Sequence, residues 1–265
     1  MNEAILGGLI AGGTDPADIV ATVRRAERAA ELAERHAGIT AIAGEEEPEN
    51  NVQAATGADV VILGVKPVGT AALAREISGA LSPDTLVVSV AAAVSLEQLE
   101  AALPAGQPVI RTMPNTPARL GRGVVSVSGG THCSAEQLQQ AKDIFAAVGT
   151  VVEIPESQVD ALSAVSGSGP AYAFYLAEAM AAAGVELGLD PELSKLLARE
   201  TVAGAGLMLA EPGADPTALR IAVTSPNGTT ERAIATFDEQ GLPGIVAAGA
   251  RAAAERAAEI TKQLG

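Results

Sequence analysis

The sequence predicts an α/β domain built on a doubly wound sheet, followed by an all-α domain, and three observations carry that expectation. Short β-rich runs alternate with helical periodicity as far as about Pro155. Strand signals then stop. The helical runs that follow open repeatedly on proline, at Pro170, Pro191, Pro216 and Pro243, a residue whose missing N–H and fixed φ suit the first helical turn. The expected domains are therefore 1–155 and 156–265, and 265 residues give ample length for two cores.

Residues 3–11 read as a helix stopped by Gly12 and Gly13. Residues 18–23 are a β-rich run, 26–37 a helix closed by Gly38, and 39–43 a second strand; 49–56 are helical. The run D-V-V-I-L-G-V at 59–65 is continuously apolar, as a parallel strand covered on both faces requires. A helix over 68–80 and a strand over 85–90 follow. Ser95 and Gln98 form a capping box for a helix over 95–103. Strands at 108–112, 123–128 and 151–154 complete this half, with a second capping box, Ser134 and Gln137, opening the helix between the last two.

Beyond residue 155 the expected helices are 158–165, 170–183, 191–210, 216–222, 229–240 and 243–262. Apolar and small residues at 171–189 and 194–210 exceed what one face can bury in so short a domain. A partner subunit is expected, in a homodimer or a higher homo-oligomer. Glu178 and Glu186 interrupt the most apolar stretch, which favours burial between protein surfaces over a membrane span.

Composition narrows the function. The formal charge is −15, and aromatic residues make up only 2% of the chain. Without a basic stripe to neutralise phosphates or rings to stack bases, neither nucleic acid nor an anionic membrane is an expected partner. A single cysteine, Cys133, excludes an internal disulfide and fits a cytoplasmic location. The apolar opening carries Glu3 and no basic residue, so it does not read as a signal peptide. The only histidines, His36 and His132, lie outside the motifs below, and no metal is expected.

Four stretches could carry chemistry. G-V-K-P at 64–67 lies where a buried strand gives way to a helix, at the edge where open α/β sheets bind ligands. R-T-M-P-N-T-P-A at 111–118 is stiffened by two prolines, the mark of a fixed binding loop. S-G-S-G-P-A-Y at 166–172 precedes a long apolar helix and reads equally well as a hinge. V-T-S-P-N-G-T-T at 223–230 makes a turn and then opens a helix, whose unpaired first amides form an anion site beside several hydroxyls.

Together these stretches resemble the pyrroline-5-carboxylate reductase family, NADPH-linked enzymes of the last step of proline synthesis. The likeness covers essentially the whole chain. L-R-I-A-V-T-S-P-N-G-T-T-E-R-A-I at 219–234 matches the family signature, supported by Asp160 with S-G-S-G-P-A-Y and by R-T-M-P-N-T-P-A. The resemblance implies a Rossmann-like sheet, a helical dimerisation domain, NADPH as cofactor, 1-pyrroline-5-carboxylate as substrate and L-proline as product. It implies that Val65, Lys66, Pro67, Ala91, Ala92 and Ala93 line the nicotinamide side of the cofactor, and Asn51 the adenosine side. The substrate loop maps to Ser225, Gly228, Thr229 and Thr230, with Glu156 a further contact near the start of the helical half. Departures are Ala93 and Asn227, where the family commonly has glycine, and Ala222, where some relatives carry asparagine.

A cyclic imine needs only a hydride at carbon and a polarised nitrogen. The amides of residues 228–230 are expected to hold the substrate carboxylate, and the Thr230 hydroxyl to bond the imine nitrogen, which makes Thr230 the catalytic residue. Sheets that prefer NAD place an acid after the second strand, whereas A-T-V-R-R at 21–25 offers none before Glu27. NADPH is expected over NADH, with Thr22, Arg24 and Arg25 on the 2′-phosphate.

A β-hydroxyacid dehydrogenase shares the two-domain plan but needs a lysine in an N-x-x-K helix. Lys195 and Lys262, the only lysines after residue 155, lack that asparagine. A further alternative is a subunit that oligomerises but catalyses poorly. Relatives begin with a buried strand and a G-x-G-x-M loop, and Met1 aligns with the methionine closing that loop, through a late start assignment or a truncated copy. The expectation is a first-domain sheet with a gap at its centre, weak NADPH binding and little activity, in a chain whose helical half still dimerises. A strand with four buried apolar side chains contributes on the order of 6–12 kcal/mol, comparable with the roughly 5–15 kcal/mol stability of a whole domain.

Overall fold

The computed structural model describes residues 1–264. Strand β1 (Val20–Val23) pairs in parallel with β2 (Thr40–Ala43), and these two form a sheet of their own. Strands β3 (Val60–Leu63), β4 (Leu86–Ser89), β5 (Val109–Pro114), β6 (Gly123–Gly129) and β7 (Gly149–Glu153) form a second sheet in that order. β3, β4 and β5 run parallel; β6 is antiparallel to β5, and β7 runs parallel to β6. The reversal follows from the connection, because β5 and β6 are joined by a single 3₁₀ turn, Thr116–Leu120, too short for the crossover that parallel pairing requires.

The larger sheet is covered on both faces, which is why its strands are apolar without alternation. Successive residues point to opposite sides. Leu63, Val87 and Val109 pack with Ile77 of α4 (Pro67–Ile77) and Leu99 of α5 (Leu96–Ala102). Leu86, Val88 and Ile110 pack with Ile5 of α1 (Asn2–Ala11) and Phe145 of α6 (Ala135–Ala146). Both capping boxes form as the sequence predicts, Ser95 with Gln98 and Ser134 with Gln137.

α1 serves both sheets. Ile5 and Leu9 pack among Val60, Ile62 and Val88 of the larger, whereas Leu6 and Ile10 pack among Ala21, Val23 and Ile39 beside the smaller. Glu3 ties α1 to α2 (Ala26–Arg35) by accepting from Arg28 Nη2 at 2.6 Å and pairing with Arg35 Nη1 at 2.8 Å. Backbone pairing is nonetheless interrupted between β1 and β3, the central position where the sequence leads one to expect a gap.

The chain forms two compact units, Met1–Gly167 together with the stretch from Ala253 onward, and Ser168–Ala252. The compact units divide at 167/168, beyond the division expected between residues 155 and 156, and the end of the chain joins the first unit. Hydrogen bonds explain both shifts. Asn115 Nδ2 donates to Ser166 O at 2.9 Å, and Gln98 Nε2 to Thr261 O at 3.1 Å. Leu264 also packs against the cluster around Leu99. The helix expected over 158–165 is instead α7 (Val159–Leu162) followed by a π turn, Ser163–Gly167. Gly167 sits where a Cβ would lie 2.9 Å from Ser163 Oγ.

The second unit holds α8 (Gly169–Glu186), α9 (Pro191–Leu209), α10 (Pro216–Ala222), α11 (Thr229–Glu239) and the first part of α12 (Leu242–Leu264). Ser194 Oγ donates to Ala181 O at 2.6 Å, locking α9 to α8. No residue of α8 is buried, and Phe174 and Tyr175 stand 67% and 72% exposed.

Candidate active site

Because β3 and β4 are parallel neighbours with Leu63 opposite Ser89, the segments that follow them leave the same edge side by side. Val65 and Lys66 are exposed there, and Pro67 opens α4. In the β4–α5 turn Ala91 and Ala93 are buried while Ala92 is exposed. Ala93 has φ 59°, a left-handed conformation that costs an L-residue about 1–2 kcal/mol.

At the end of β1, Thr22 is half-buried and Arg24 and Arg25 are exposed. The parallel partner β2 delivers what sequence distance hid, a carboxylate at this spot. Glu45 N–H donates to Arg24 O at 3.1 Å, and Glu45 Oε2 accepts from Ala26 N at 3.4 Å. Asn51, expected on the adenosine side, donates through Nδ2 to Glu76 Oε1 at 3.0 Å. Its neighbour Asn50 is the buried residue at the strand ends, donating to Val23 O and Ile42 O. Only its spacing from β2 could have signalled that.

α1 begins at this edge too, where Asn2 Nδ2 donates to Gly64 O at 2.6 Å. In a doubly wound sheet such a helix start faces the pyrophosphate of a dinucleotide. Gly7, Gly8, Gly12 and Gly13 lie within or after α1, away from its first amides. The residues present thus fit a dinucleotide at its nicotinamide and 2′ ends better than at its middle.

The R-T-M-P-N-T-P-A stretch, expected as a fixed binding loop, is rigid because it is the end of β5 and the 3₁₀ turn after it, and its buried polar groups serve as a brace. Arg111, Thr112 and Asn115 are buried and each is hydrogen-bonded within the first unit, whereas Thr116 is exposed. Thr112 Oγ1 donates to Ser89 O at 2.9 Å, and Asn115 Oδ1 accepts from Val124 N at 2.9 Å. Arg111, only 5% exposed, donates through Nη1 to Glu156 Oε1 at 2.9 Å. The same oxygen accepts from Leu96 N at 2.7 Å. Glu156, expected as a substrate contact, is therefore engaged within the first unit.

In the second unit the turn before α11 is held tightly. Asn227 takes φ 56°, and its N–H donates to Glu231 Oε2 at 2.7 Å. Gly228 N–H donates to Ser225 O at 3.0 Å, and a Cβ on Gly228 would lie 2.9 Å from that oxygen. This corrects the expectation that amides 228–230 form the anion site, since the first of them is already bonded. The first intrahelical bond runs from Arg232 N to Gly228 O, so the amides ahead of it belong to Thr229, Thr230 and Glu231. Thr224 turns away, its hydroxyl donating to Arg220 O at 2.6 Å. Ser225 and Thr229 are exposed and Thr230 half-buried.

Comparison with known proteins matches these features to one family. A family model for pyrroline-5-carboxylate reductase dimerisation matches residues 156–260, and one for NADP oxidoreductase, coenzyme F420-dependent, matches residues 1–93. The pyrroline-5-carboxylate reductase of Corynebacterium melassecola is 43% identical over 99% of this chain and 96% of its own length. The chain belongs to the pyrroline-5-carboxylate reductase family. The reductase of Pseudomonas aeruginosa is 42% identical over 100% of this chain and 95% of its own. Among solved structures, the pyrroline-5-carboxylate reductase of Coxiella burnetii aligns with TM-score 0.89 at 34% identity, covering 98% of this chain and 94% of that one. The Plasmodium falciparum reductase with NADP bound aligns at 0.80 and 23% identity over 98% and 94% of the two chains, a likeness of fold. As a member of this reductase family the chain is an oxidoreductase that uses a nicotinamide cofactor, and its helical unit is a dimerisation module. Among the described residues no helix is long and apolar enough to cross a membrane.

Proposed function

We propose that this reductase transfers a hydride from NADPH to 1-pyrroline-5-carboxylate, giving L-proline, in the cytoplasm. One observation carries the reading, the turn at 225–230 that pins Gly228 to the Ser225 carbonyl and leaves the Thr229 and Thr230 amides at the head of α11. A carboxylate fits there, against N–H groups and the positive end of the helix. The Ser225 hydroxyl supplies a further donor.

NADPH supplies the hydride. The chain's part is to orient and polarise. Thr230 donates its hydroxyl proton in a hydrogen bond to the imine nitrogen, so electron density drawn from the C=N bond is stabilised as the hydride reaches the imine carbon. The nitrogen then takes a proton from water across that hydroxyl, and the product is a neutral secondary amine beside a carboxylate. No nucleophile is needed. Arg24 and Arg25, with Thr22, favour the 2′-phosphate of NADPH, against the opposing charge of Glu45. Val65, Lys66, Pro67 and the turn Ala91, Ala92, Ala93 receive the nicotinamide.

Purified protein offered pyrroline-5-carboxylate with NADPH and with NADH, and small hydroxy acids with NADP+ and with NAD+, tests the reading through nicotinamide absorbance. Reduction of the imine, fastest with NADPH, is expected. Turnover of hydroxy acids instead would overturn it, and an unchanged rate in Thr230→Ala would remove the role of Thr230.

A further inference from the structure

We propose that Glu156 is a positioning residue for hydride transfer, one that fixes the β4–α5 turn from beneath without touching the substrate; this rests on the reading that the turn receives the nicotinamide. Two consecutive residues of β5 tether the two ends of that turn. At its start, Thr112 Oγ1 donates to Ser89 O, and Ser89 Oγ accepts from Ala91 N at 3.3 Å. At its far end, Glu156 Oε1 accepts from Leu96 N at 2.7 Å while Arg111 Nη1 holds the same oxygen at 2.9 Å. The capping box already occupies the Ser95 and Gln98 amides. Glu156 therefore takes the first amide of this helix, Leu96 N, which the box leaves over.

Between the tethers the turn is not at rest. Ala93 sits at φ 59° with its methyl buried, and Ala91 and Val94 are each 3% exposed. A non-glycine residue persists in that conformation only where its surroundings over-determine it. The exposed member, Ala92, is the surface that a nicotinamide ring would meet. Arg111 is the reason Glu156 can serve, because a buried guanidinium holds a carboxylate in one place with a directed hydrogen bond. Loosening the far tether lets Ala93 relax and moves Ala92, and displacement of a reacting group by an ångström is enough to slow chemistry by up to about a hundredfold.

The test uses the full chain with Glu156→Ala, Glu156→Gln and Ala92→Leu, all measured well below their melting temperatures. For Glu156→Ala we expect kcat to fall about tenfold or more, the primary isotope effect with 4-deuterated NADPH to rise, and KM for pyrroline-5-carboxylate to stay within about twofold. Glu156→Gln should recover part of kcat, since its amide oxygen still accepts from Leu96 N. A raised imine KM with an unchanged isotope effect would make Glu156 a substrate contact and overturn the proposal. So would a lowered melting temperature with kcat and isotope effect intact. Ala92→Leu separates the two layers of argument: if it leaves NADPH affinity unmoved, the cofactor reading of the turn fails, whereas a response there without one at Glu156 overturns only the positioning role.

Discussion

Gly8 in α1 lies so close to Val148 that a Cβ placed on it would come 2.4 Å from Val148 Cγ1 and 3.1 Å from the Ala147 carbonyl oxygen. Val148 is itself 1% exposed and cannot swing aside. Gly8→Ala gains up to about 1 kcal/mol of helix propensity and loses roughly 1–3 kcal/mol to overpacking. A net loss is expected, read as a melting temperature lower by a few degrees, about 2–6 °C. A melting temperature that rises would show that α1 can slide away from the α6–β7 turn.

The proposed carboxylate site at the head of α11 offers a second test. A methyl at residue 228 would push Ser225 O from its 2.9 Å approach and tilt the amides that follow. Gly228→Ala should raise KM for pyrroline-5-carboxylate by about tenfold or more, the loss of one hydrogen bond to a charged group. NADPH affinity, titrated by fluorescence, should stay constant.

The proposed preference for NADPH rests on Arg24 and Arg25. Replacing both by alanine should lower the ratio of kcat/KM for NADPH over NADH by about tenfold to a hundredfold, with NADH efficiency little changed. Glu45→Gln should move the ratio the other way, because the carboxylate bonded to Ala26 N then no longer repels the 2′-phosphate. Equal efficiency with both cofactors in the unaltered protein would remove the proposed role of this corner.

Acid should loosen α1 from α2. The Arg28 guanidinium bonded to Glu3 holds its carboxyl below the ordinary value, with His36 and Arg35 acting in the same sense against some desolvation. Glu31, which also pairs with Arg28, is lowered as well. A depressed folded-state pKa means that the contribution is complete above the unfolded value and is lost as pH falls through the folded one. The loss is therefore expected below about pH 5. Glu3→Gln should lower stability near neutrality and flatten this acid limb in denaturant titrations; an unaltered limb would show that other carboxylates set it.

Hydrogen exchange can read the interrupted sheet directly. Ile19 O accepts from Thr40 N and Val23 O from Gly44 N, on the β2 side, and Asp59 O accepts from Leu86 N and Leu63 O from Val90 N, on the β4 side. Alternation then turns the amides of Val20, Thr22, Val60 and Ile62 away from those partners. They should exchange much faster than those of Val87 and Val88. Protection of these four amides equal to that of Val87 and Val88 would show that β1 and β3 are paired in solution.

Much of this was legible in the sequence because periodicity and capping are local. D-V-V-I-L announced β3, and S-x-x-Q announced both capping boxes. The antiparallel β6 was not legible, since it depends on how briefly the chain turns between Pro114 and Gly123. Nor was the approach of Glu45 to Arg24, which only β1–β2 pairing creates. The inward turn of Arg111 onto Glu156 joins residues far apart in the chain, whereas the prolines around Asn115 suggested a fixed binding loop and the family resemblance a substrate contact at Glu156. Asn50 and Asn51 show the limit most sharply, because one residue of helical rotation decides which of them meets the strand ends.

A sheet has two margins to guard, and the first unit has four. The inner pair, V-A-T-V and V-V-I-L, carries neither charge nor proline, the devices by which strand margins discourage pairing with other chains. Folding chains held at high concentration will tend to stitch to one another along these strands. What keeps them apart is mutual repulsion from a formal charge of −15, a force that acts over roughly 10 Å at 0.1 M salt and only about 3 Å at 1 M. Recovery of monodisperse protein is thereby coupled to ionic strength through screening of the net charge.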